Sequence, residues 1–161
     1  MSVVVSDTSP LHYLILCQAE FILPNLFQKV VIPTAVFREL QSPHAPLSVR
    51  QWFISLPNWV EVQTPKAIDS TLRLDPGELE GIALAKEINA AAILIDDRAG
   101  RIAAHRSGIA VIGTIGLLER AAARGLLRLT EIFELLRQTN AGLDPGLVEA
   151  ALERDRARRS V

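Results

Sequence analysis

Short aliphatic runs alternate along this chain with longer segments of helical periodicity. The runs are "VVVS" at 3–6, "KVVIP" at 29–33, "VEV" at 60–62, "AAILI" at 91–95 and "IAVIG" at 109–113. Strands that are buried on both faces of a sheet show such continuous apolar runs instead of alternation. Because helical segments separate the runs, the pattern predicts βαβ units. We therefore expect an α/β fold in which a central parallel sheet lies between two layers of helices.

The helical segments have recognisable starts. Asp75 is followed by Pro76 and Glu78, which predicts an N-cap, a first helical residue and the third position of a capping box. Thr34 is expected to cap the short helix of "TAVFRELQS" in the same way. No repeat or linker divides the chain. We expect one domain over residues 1–161, in which 144–161 form a helical, partly frayed extension.

Composition limits the class of protein. Hydrophobic residues make up 49% of the 161 residues, which is enough for a substantial core. The net charge of −1 excludes a globally basic surface, so a polyanion would have to be held by a local patch or a metal. Cys17 is the only cysteine, no signal-peptide pattern is visible, and no apolar stretch reaches the roughly 18 residues of a membrane span. We expect a soluble cytoplasmic protein.

Acidic residues follow two of the predicted strands directly. Asp7 comes after the first strand, and Asp96 and Asp97 come after "AAILI". The carboxyl ends of parallel strands meet at one edge of the sheet, so these side chains should lie close together. A carboxylate there is costly to desolvate without a partner. The alternative is local: Asp7 and Asp97 would each cap the helix that follows.

Three glutamates extend this pattern. On the helix that begins at Pro76, a rotation of about 100° per residue places Glu78 within the apolar arc. The capping box with Asp75 is the alternative explanation for Glu78. Glu80 lies at the edge of that arc, and Glu39 lies on a short helix. Each of these two, taken singly, is typical of a surface residue.

Together the acids predict a metal site. The candidate ligands are Asp7, Glu39, Glu78, Glu80, Asp96 and Asp97, and no lysine is near them in sequence. Clustered carboxylates raise one another's pKa, and hard divalent cations relieve the repulsion. A set of oxygen ligands favours Mg²⁺ or Mn²⁺ over zinc, and the three histidines lack ligand spacing. Two such ions suit in-line attack on a phosphodiester.

Four blocks of the sequence, in order, carry a resemblance to a known family. They are "DTSPL", "GELEGIALA", "IDDRAGR" and "GTIGLLERAAARGLL", and they span Asp7 to Leu127. This order resembles the PIN domain, a metal-dependent ribonuclease fold, and in particular the prokaryotic PIN-like proteins of the domain-of-unknown-function group 3368. The resemblance implies an acidic Mg²⁺ or Mn²⁺ pocket and RNA cleavage, often by the toxin half of a toxin and antitoxin pair.

The resemblance also implies roles for individual acids. The four acidic positions would be Asp7, Glu39, Glu78 or Glu80, and Asp97 or Asp96. In the set that we expect to be catalytic, these positions are Asp7, Glu39, Glu78 and Asp97. Glu80 and Asp96 remain alternative or additional metal ligands.

Residues around the acids receive secondary roles. By the same resemblance, Thr8 or Ser9 would hydrogen-bond within the pocket. Arg38, Arg98 and Arg101 are candidates for contacts with RNA phosphates. The alternative for these arginines is a salt bridge with the acids or a solvated helix face.

These inferences lead to two functional hypotheses. The first is a metal-dependent endoribonuclease that acts on RNA and has an antitoxin-like protein as a partner. The second is a catalytically idle PIN-like module that works through protein contacts. The apolar helices "TIGLLERAAARG" and "LTEIFELLRQ" fit either a homodimer interface or ordinary core packing.

Overall fold

The computed structural model describes residues 2–139 and 141–161, which form five strands and nine helices. The strands are β1 (Val3–Ser6), β2 (Lys29–Pro33), β3 (Val60–Gln63), β4 (Ala92–Leu94) and β5 (Val111–Ile112). The helices are α1 (Thr8–Leu16), α2 (Ile22–Leu26), α3 (Thr34–Leu40), α4 (Leu47–Trp52), α5 (Pro76–Glu87), α6 (Arg98–Arg106), α7 (Thr114–Ala123), α8 (Leu129–Arg137) and α9 (Pro145–Arg159). All five predicted strands are confirmed, with small differences at their ends. Across the described ranges, no helix combines the length and the hydropathy needed to cross a membrane.

The strands form one parallel sheet in the order β3-β2-β1-β4-β5. The chain builds outward from β1 through β2 to β3, then crosses to the other side of β1 for β4 and β5. The amide of Asp7 donates to the Leu94 carbonyl at 2.8 Å, so the pairing of β1 with β4 continues one residue past β1. The strand order therefore reverses between β1 and β4, where open parallel sheets commonly bind ligands.

Each face of the sheet supports its own hydrophobic core. Val4 and Leu94 belong to a larger cluster, which is completed by α1 to α4 and α7 to α9. Val5 and Ile93 point to the opposite face and pack with residues of α5 and α6. Adjacent strand residues contribute to different clusters because side chains alternate across a sheet. The predicted three-layer α/β/α architecture is confirmed.

Two helix starts show how local and distant residues share the capping role. At α5 the predicted capping box is confirmed: the Glu78 amide donates to Asp75 Oδ1 at 2.8 Å, and the Asp75 amide donates to Glu78 Oε2 at 3.2 Å. At α3 the prediction that Thr34 is the N-cap is wrong, because Pro33 holds that position and makes no side-chain cap. Glu80, 45 residues away, instead accepts a hydrogen bond from the Ala35 amide at 3.1 Å.

The last helix, α9, runs through the charged segment that the sequence pattern expects to fray. It packs against α7 and α8, with Ala151 fully buried. Asp155 is also buried and forms salt bridges of 2.6 Å with Arg158 and 2.8 Å with Arg159. The helix is therefore anchored by the apolar contact of Ala151, and the buried charge of Asp155 is paired with arginines of the same helix.

The close approach of α6 to the strand end beneath it gives a stability prediction. A Cβ atom at Gly100 would lie 2.5 Å from Cδ1 of the fully buried Ile95. We expect Gly100→Ala to lower the free energy of unfolding by about 1 to 3 kcal/mol, because the added methyl group overpacks this contact. Urea denaturation at fixed pH measures the change.

Gly116 in α7 provides the matched control. A Cβ atom there would lie 3.6 Å from Ile112 Cγ2, which is an ordinary contact. Gly116→Ala should therefore raise the free energy of unfolding by about 0.5 to 1 kcal/mol through the better helix propensity of alanine. If both variants are stabilised equally, α6 does not depend on the close approach at Gly100.

Candidate functional site

The structure brings acids from several elements to the carboxyl edge of the sheet, between β1 and β4. Asp7 feels the charges of Glu39, Asp75 and Asp96, and Glu78 feels those of Asp75, Asp97 and Asp7. These carboxylates come from the ends of two strands, from α3 and from the start of α5. Asp75, which the sequence marks only as an N-cap, is therefore an electrostatic member of the same cluster.

Asp7 is the most constrained of these acids. Its side chain is only 6% exposed, and although it occupies the N-cap position of α1 it accepts no capping hydrogen bond. Burial raises the pKa of Asp7 from 3.8 to about 7; the Thr8 amide acts in the opposite direction, and the neighbouring acids add to the rise. Helix capping therefore does not explain this buried carboxylate.

Glu78 serves both roles that its position in the sequence suggests. It closes the capping box at α5, yet its side chain is buried and its carboxyl carbon lies 3.4 Å from where a Cβ atom of Gly100 would be. Burial raises the pKa of Glu78 to about 7, and the charges of Asp75, Asp97 and Asp7 act in the same direction. Glu78 thus faces the acids, whereas Glu80 is directed to the start of α3.

The two acids after β4 are held differently. Asp97 caps α6, and its Oδ2 accepts from the Gly100 amide at 3.0 Å, as the capping alternative predicts. Asp96 is bound by Thr114, whose amide donates to Oδ1 at 2.7 Å and whose hydroxyl donates to Oδ2 at 2.6 Å. Thr114 is fully buried and was missed from the sequence. The sequence feature that could have indicated it is a hydroxyl residue at the start of a helix, shortly after the last strand.

Backbone amides, and not basic side chains, balance the charge of the cluster. Because each helix here follows a strand of a parallel sheet, α1, α3, α5, α6 and α7 all begin at this edge. A helix N-terminus carries partial positive charge that favours a nearby carboxylate. Within 2–139 and 141–161, no salt bridge involves any of the candidate acids. Backbone amides are therefore the partners of these carboxylates, and in the described part of the chain no basic side chain forms a salt bridge with them.

The residues that we expect around the acids lie partly beside the acid cluster and partly on the exposed surface. The hydroxyl of Thr8 donates to Glu39 Oε2 at 2.8 Å. Ser9 and Arg101 line a groove that begins at Asp96 and Asp97. Arg38 and Arg98 are exposed on α3 and α6, and in the described part of the chain neither they nor Arg101 forms a salt bridge.

The donor chemistry fits a hydrated hard cation. Among the residues that the structure describes, no three His, Cys, Asp or Glu side chains are close enough to enclose a metal directly. Mg²⁺ commonly retains several water molecules and takes only one or two carboxylates from the protein. The buried Asp7 carboxylate, with other acids beside it, meets that requirement. The set lacks the nitrogen and sulfur ligands typical of zinc.

Comparison with known proteins agrees with the resemblance seen in the sequence. The chain matches the family of domain-of-unknown-function group 3368, described as a PIN domain, over residues 3–156. No curated protein matches it at a significant level. A solved structure of a PilT N-terminus domain protein from the hyperthermophilic archaeon Sulfolobus solfataricus superposes with a TM-score of 0.54 and 19% identity, covering 74% of this chain and 92% of that chain. At this identity the likeness shows the fold alone.

The raised pKa of Asp7 predicts how stability depends on pH. Its pKa is 3.8 ordinarily and about 7 in the folded protein, so folding becomes less favourable as pH rises through that interval. Asn cannot ionise and avoids this loss. We expect metal-free Asp7→Asn to exceed the wild type in unfolding free energy by on the order of 3 kcal/mol above neutral pH. The difference should shrink toward acid pH, as measured by chemical denaturation.

Glu153→Gln, at an exposed position of α9, is the control for removing a negative charge. It should follow the wild type across the whole pH range. A constant difference between Asp7→Asn and the wild type at every pH would contradict the assignment of the raised pKa to Asp7.

Proposed function

This chain belongs to the PIN domain family, whose members are typically nucleases, and we propose that it is a Mg²⁺- or Mn²⁺-dependent endoribonuclease. The observation that carries the proposal is the buried Asp7 carboxylate. It lies at the reversal in strand order, accepts no capping hydrogen bond and is surrounded by further acids. A bound divalent cation would supply the positive charge that this group lacks.

The proposed ligands are the acids that face the crevice. Asp7 and Glu78 form the buried part of the set; Glu39 and the Asp96 and Asp97 pair complete it. When bound, a divalent ion lowers the pKa of a water molecule and stabilises charge on phosphate oxygens. The protein's part is to hold the carboxylates in position. Thr8 does so for Glu39 through a 2.8 Å hydrogen bond.

Hydrogen bonds at the rim of the crevice support a preference among the alternative ligands. Thr114 clamps both oxygens of Asp96, which fixes its orientation but uses one lone pair of each oxygen. Asp97 accepts one hydrogen bond through Oδ2. Glu80 accepts a hydrogen bond from the Ala35 amide at the start of α3. This supports Glu78 over Glu80 as the third acid and favours Asp97 as the more available of the pair.

The biological setting follows from the resemblance of the four sequence blocks. We extend the proposal to a cytoplasmic toxin that cleaves RNA and is restrained by an antitoxin-like protein partner. A catalytically idle binding module is the alternative, and the two are distinguished by whether metal binding is accompanied by cleavage.

Metal binding is predicted to stabilise the protein through Asp7. A ligand that binds only the folded state stabilises it by about 2.7 kcal/mol at a concentration of 100 times Kd. We expect Mg²⁺ or Mn²⁺ to raise the Tm of the wild type and to leave that of Asp7→Asn almost unchanged. Differential scanning fluorimetry with a metal titration measures both. Glu153→Gln should respond like the wild type, and the absence of a Tm shift in the wild type would contradict the metal site.

Cleavage of RNA is the direct test of the proposed activity. Purified wild-type protein should cut a labelled RNA of mixed sequence in Mg²⁺ or Mn²⁺ but not in EDTA. Asp7→Asn and Glu78→Gln should lose this activity, because each removes a ligand charge from the crevice, whereas Glu153→Gln should retain it.

The result also separates the two functional hypotheses. A wild type that binds metal but leaves RNA intact supports the idle module. Cleavage that persists undiminished in both Asp7→Asn and Glu78→Gln would contradict the proposed site.

A further inference from the structure

A groove of about 600 Å³ leads away from the acid cluster along α7. Ser9 and Tyr13 of α1 line it, together with residues of α7 and of the segment that enters α9. Asp96 and Asp97 line the groove, whereas Asp7, Glu39 and Glu78 do not. The groove is therefore adjacent to the proposed metal site and shares only its outer acids.

The lining of this groove carries charges of both signs, with three arginines and four acids, which are Asp96, Asp97, Glu119 and Asp144. Asp96, Asp97 and Asp144 already accept hydrogen bonds from backbone amides. Arg101, Arg120 and Arg154 line it. Arg154 is engaged with Glu119 through two hydrogen bonds of 2.7 and 3.1 Å, so this pair is neutral. Arg101 and Arg120 are exposed on α6 and α7. Guanidinium groups bind phosphate oxygens in a bidentate manner. These two side chains can therefore contact phosphates on the same path that leads to the acids.

Gly113 lies at the acid end of the groove, close to Asp96 and Arg101. A Cβ atom at this position would lie 3.2 Å from Asp96 Oδ1 and 3.7 Å from the Arg101 guanidinium. The φ angle of Gly113 is −86°, which other residues adopt readily, so the backbone does not require glycine here. A side chain here would instead crowd Asp96 and Arg101, so glycine preserves the positions of this acid and this arginine at the end of the groove.

The walls of the groove are suited to a base. Tyr13 is half-buried, and Ile115 and the exposed Leu147 add apolar surface. Burial raises the pKa of the Tyr13 phenol, and the charge of Asp96 acts in the same direction, which indicates that Tyr13 is near the acid end. Stacking of bases on aromatic side chains is a common means of binding single-stranded nucleic acid.

We propose that this groove binds single-stranded RNA beside the acid cluster, with a base stacked on Tyr13 and backbone phosphates held by Arg101 and Arg120. The inference rests on the proposed function, because it gives the path of the RNA relative to the same acids. It adds Tyr13 and Arg120 to the residues considered from the sequence. It leaves the exposed Arg38 and Arg98 outside the groove.

The first test measures RNA binding without cleavage. Fluorescence anisotropy of a short labelled single-stranded RNA in EDTA gives the Kd of the wild type and of an Arg101→Gln, Arg120→Gln double variant. The double variant should bind more weakly. The slope of log affinity against log salt should also fall by about 0.7 for each phosphate that the protein no longer neutralises. A matched double variant, Arg106→Gln with Arg128→Gln, removes two exposed arginines outside the groove and should change neither quantity.

The second test concerns the aromatic wall. Tyr13→Leu should weaken RNA binding about tenfold through loss of stacking, whereas Tyr13→Phe retains the ring and should stay within about twofold of the wild type. Thermal melting establishes that both variants fold. If either fails to fold, the arginine variants decide the question.

Equal affinity of the groove variants, the control variants and the wild type would overturn the proposal. So would binding of a poly-glutamate peptide that is abolished in the groove variants while RNA binding is not, because the groove would then belong to an acidic protein. RNA that binds through the groove but is not cut in metal leaves this inference standing and contradicts the proposed activity. If metal-dependent cutting is unchanged in the groove variants, the proposed activity stands and this inference is contradicted.

Discussion

The central physical constraint in this protein is the meeting of carboxylates with helix N-termini at one edge of a parallel sheet. Every helix that follows a strand begins there, so backbone amides with partial positive charge surround the acids. Ala35, Gly100 and Thr114 each donate an amide hydrogen bond to one of them. The sheet therefore tolerates several buried or half-buried carboxylates without lysine or arginine partners. Charge that a salt bridge would have cancelled remains available to a cation.

Asp7 departs from this arrangement. Its backbone continues the pairing of β1 with β4, but its side chain makes no cap hydrogen bond, and burial raises its pKa to about 7. Glu78 is an intermediate case, since it both completes the capping box of α5 and has a raised pKa. The acids that accept hydrogen bonds at helix starts thus have different roles from Asp7. They shape the crevice, whereas Asp7 is a buried carboxylate without a capping hydrogen bond. The cost of burying the ionised Asp7 carboxylate destabilises the metal-free fold, and a bound cation would offset that cost.

Much of this arrangement is predictable from the sequence. The features that are not predictable share one physical reason. The strands and the Asp75 to Glu78 capping box depend on neighbouring residues and on hydrophobic pattern, so they were predicted. The convergence of Asp7 with Asp96 followed from the geometry of parallel strands. By contrast, the bond from Glu80 to α3 joins residues 45 apart, and that from Asp96 to Thr114 joins residues 18 apart. Such contacts depend on packing between elements, and so does the groove beside Tyr13.

The central position of β1 also has a consequence for the order of assembly. The two halves of the sheet meet only where β1 pairs with β4, between segments about 90 residues apart in the chain. Asp7 and Glu39 belong to the first half, and Asp96 and Asp97 belong to the second. Closing so long a loop is slow compared with local pairing. A chain emerging from the ribosome thus holds an incomplete acid set until β4 has docked beside β1.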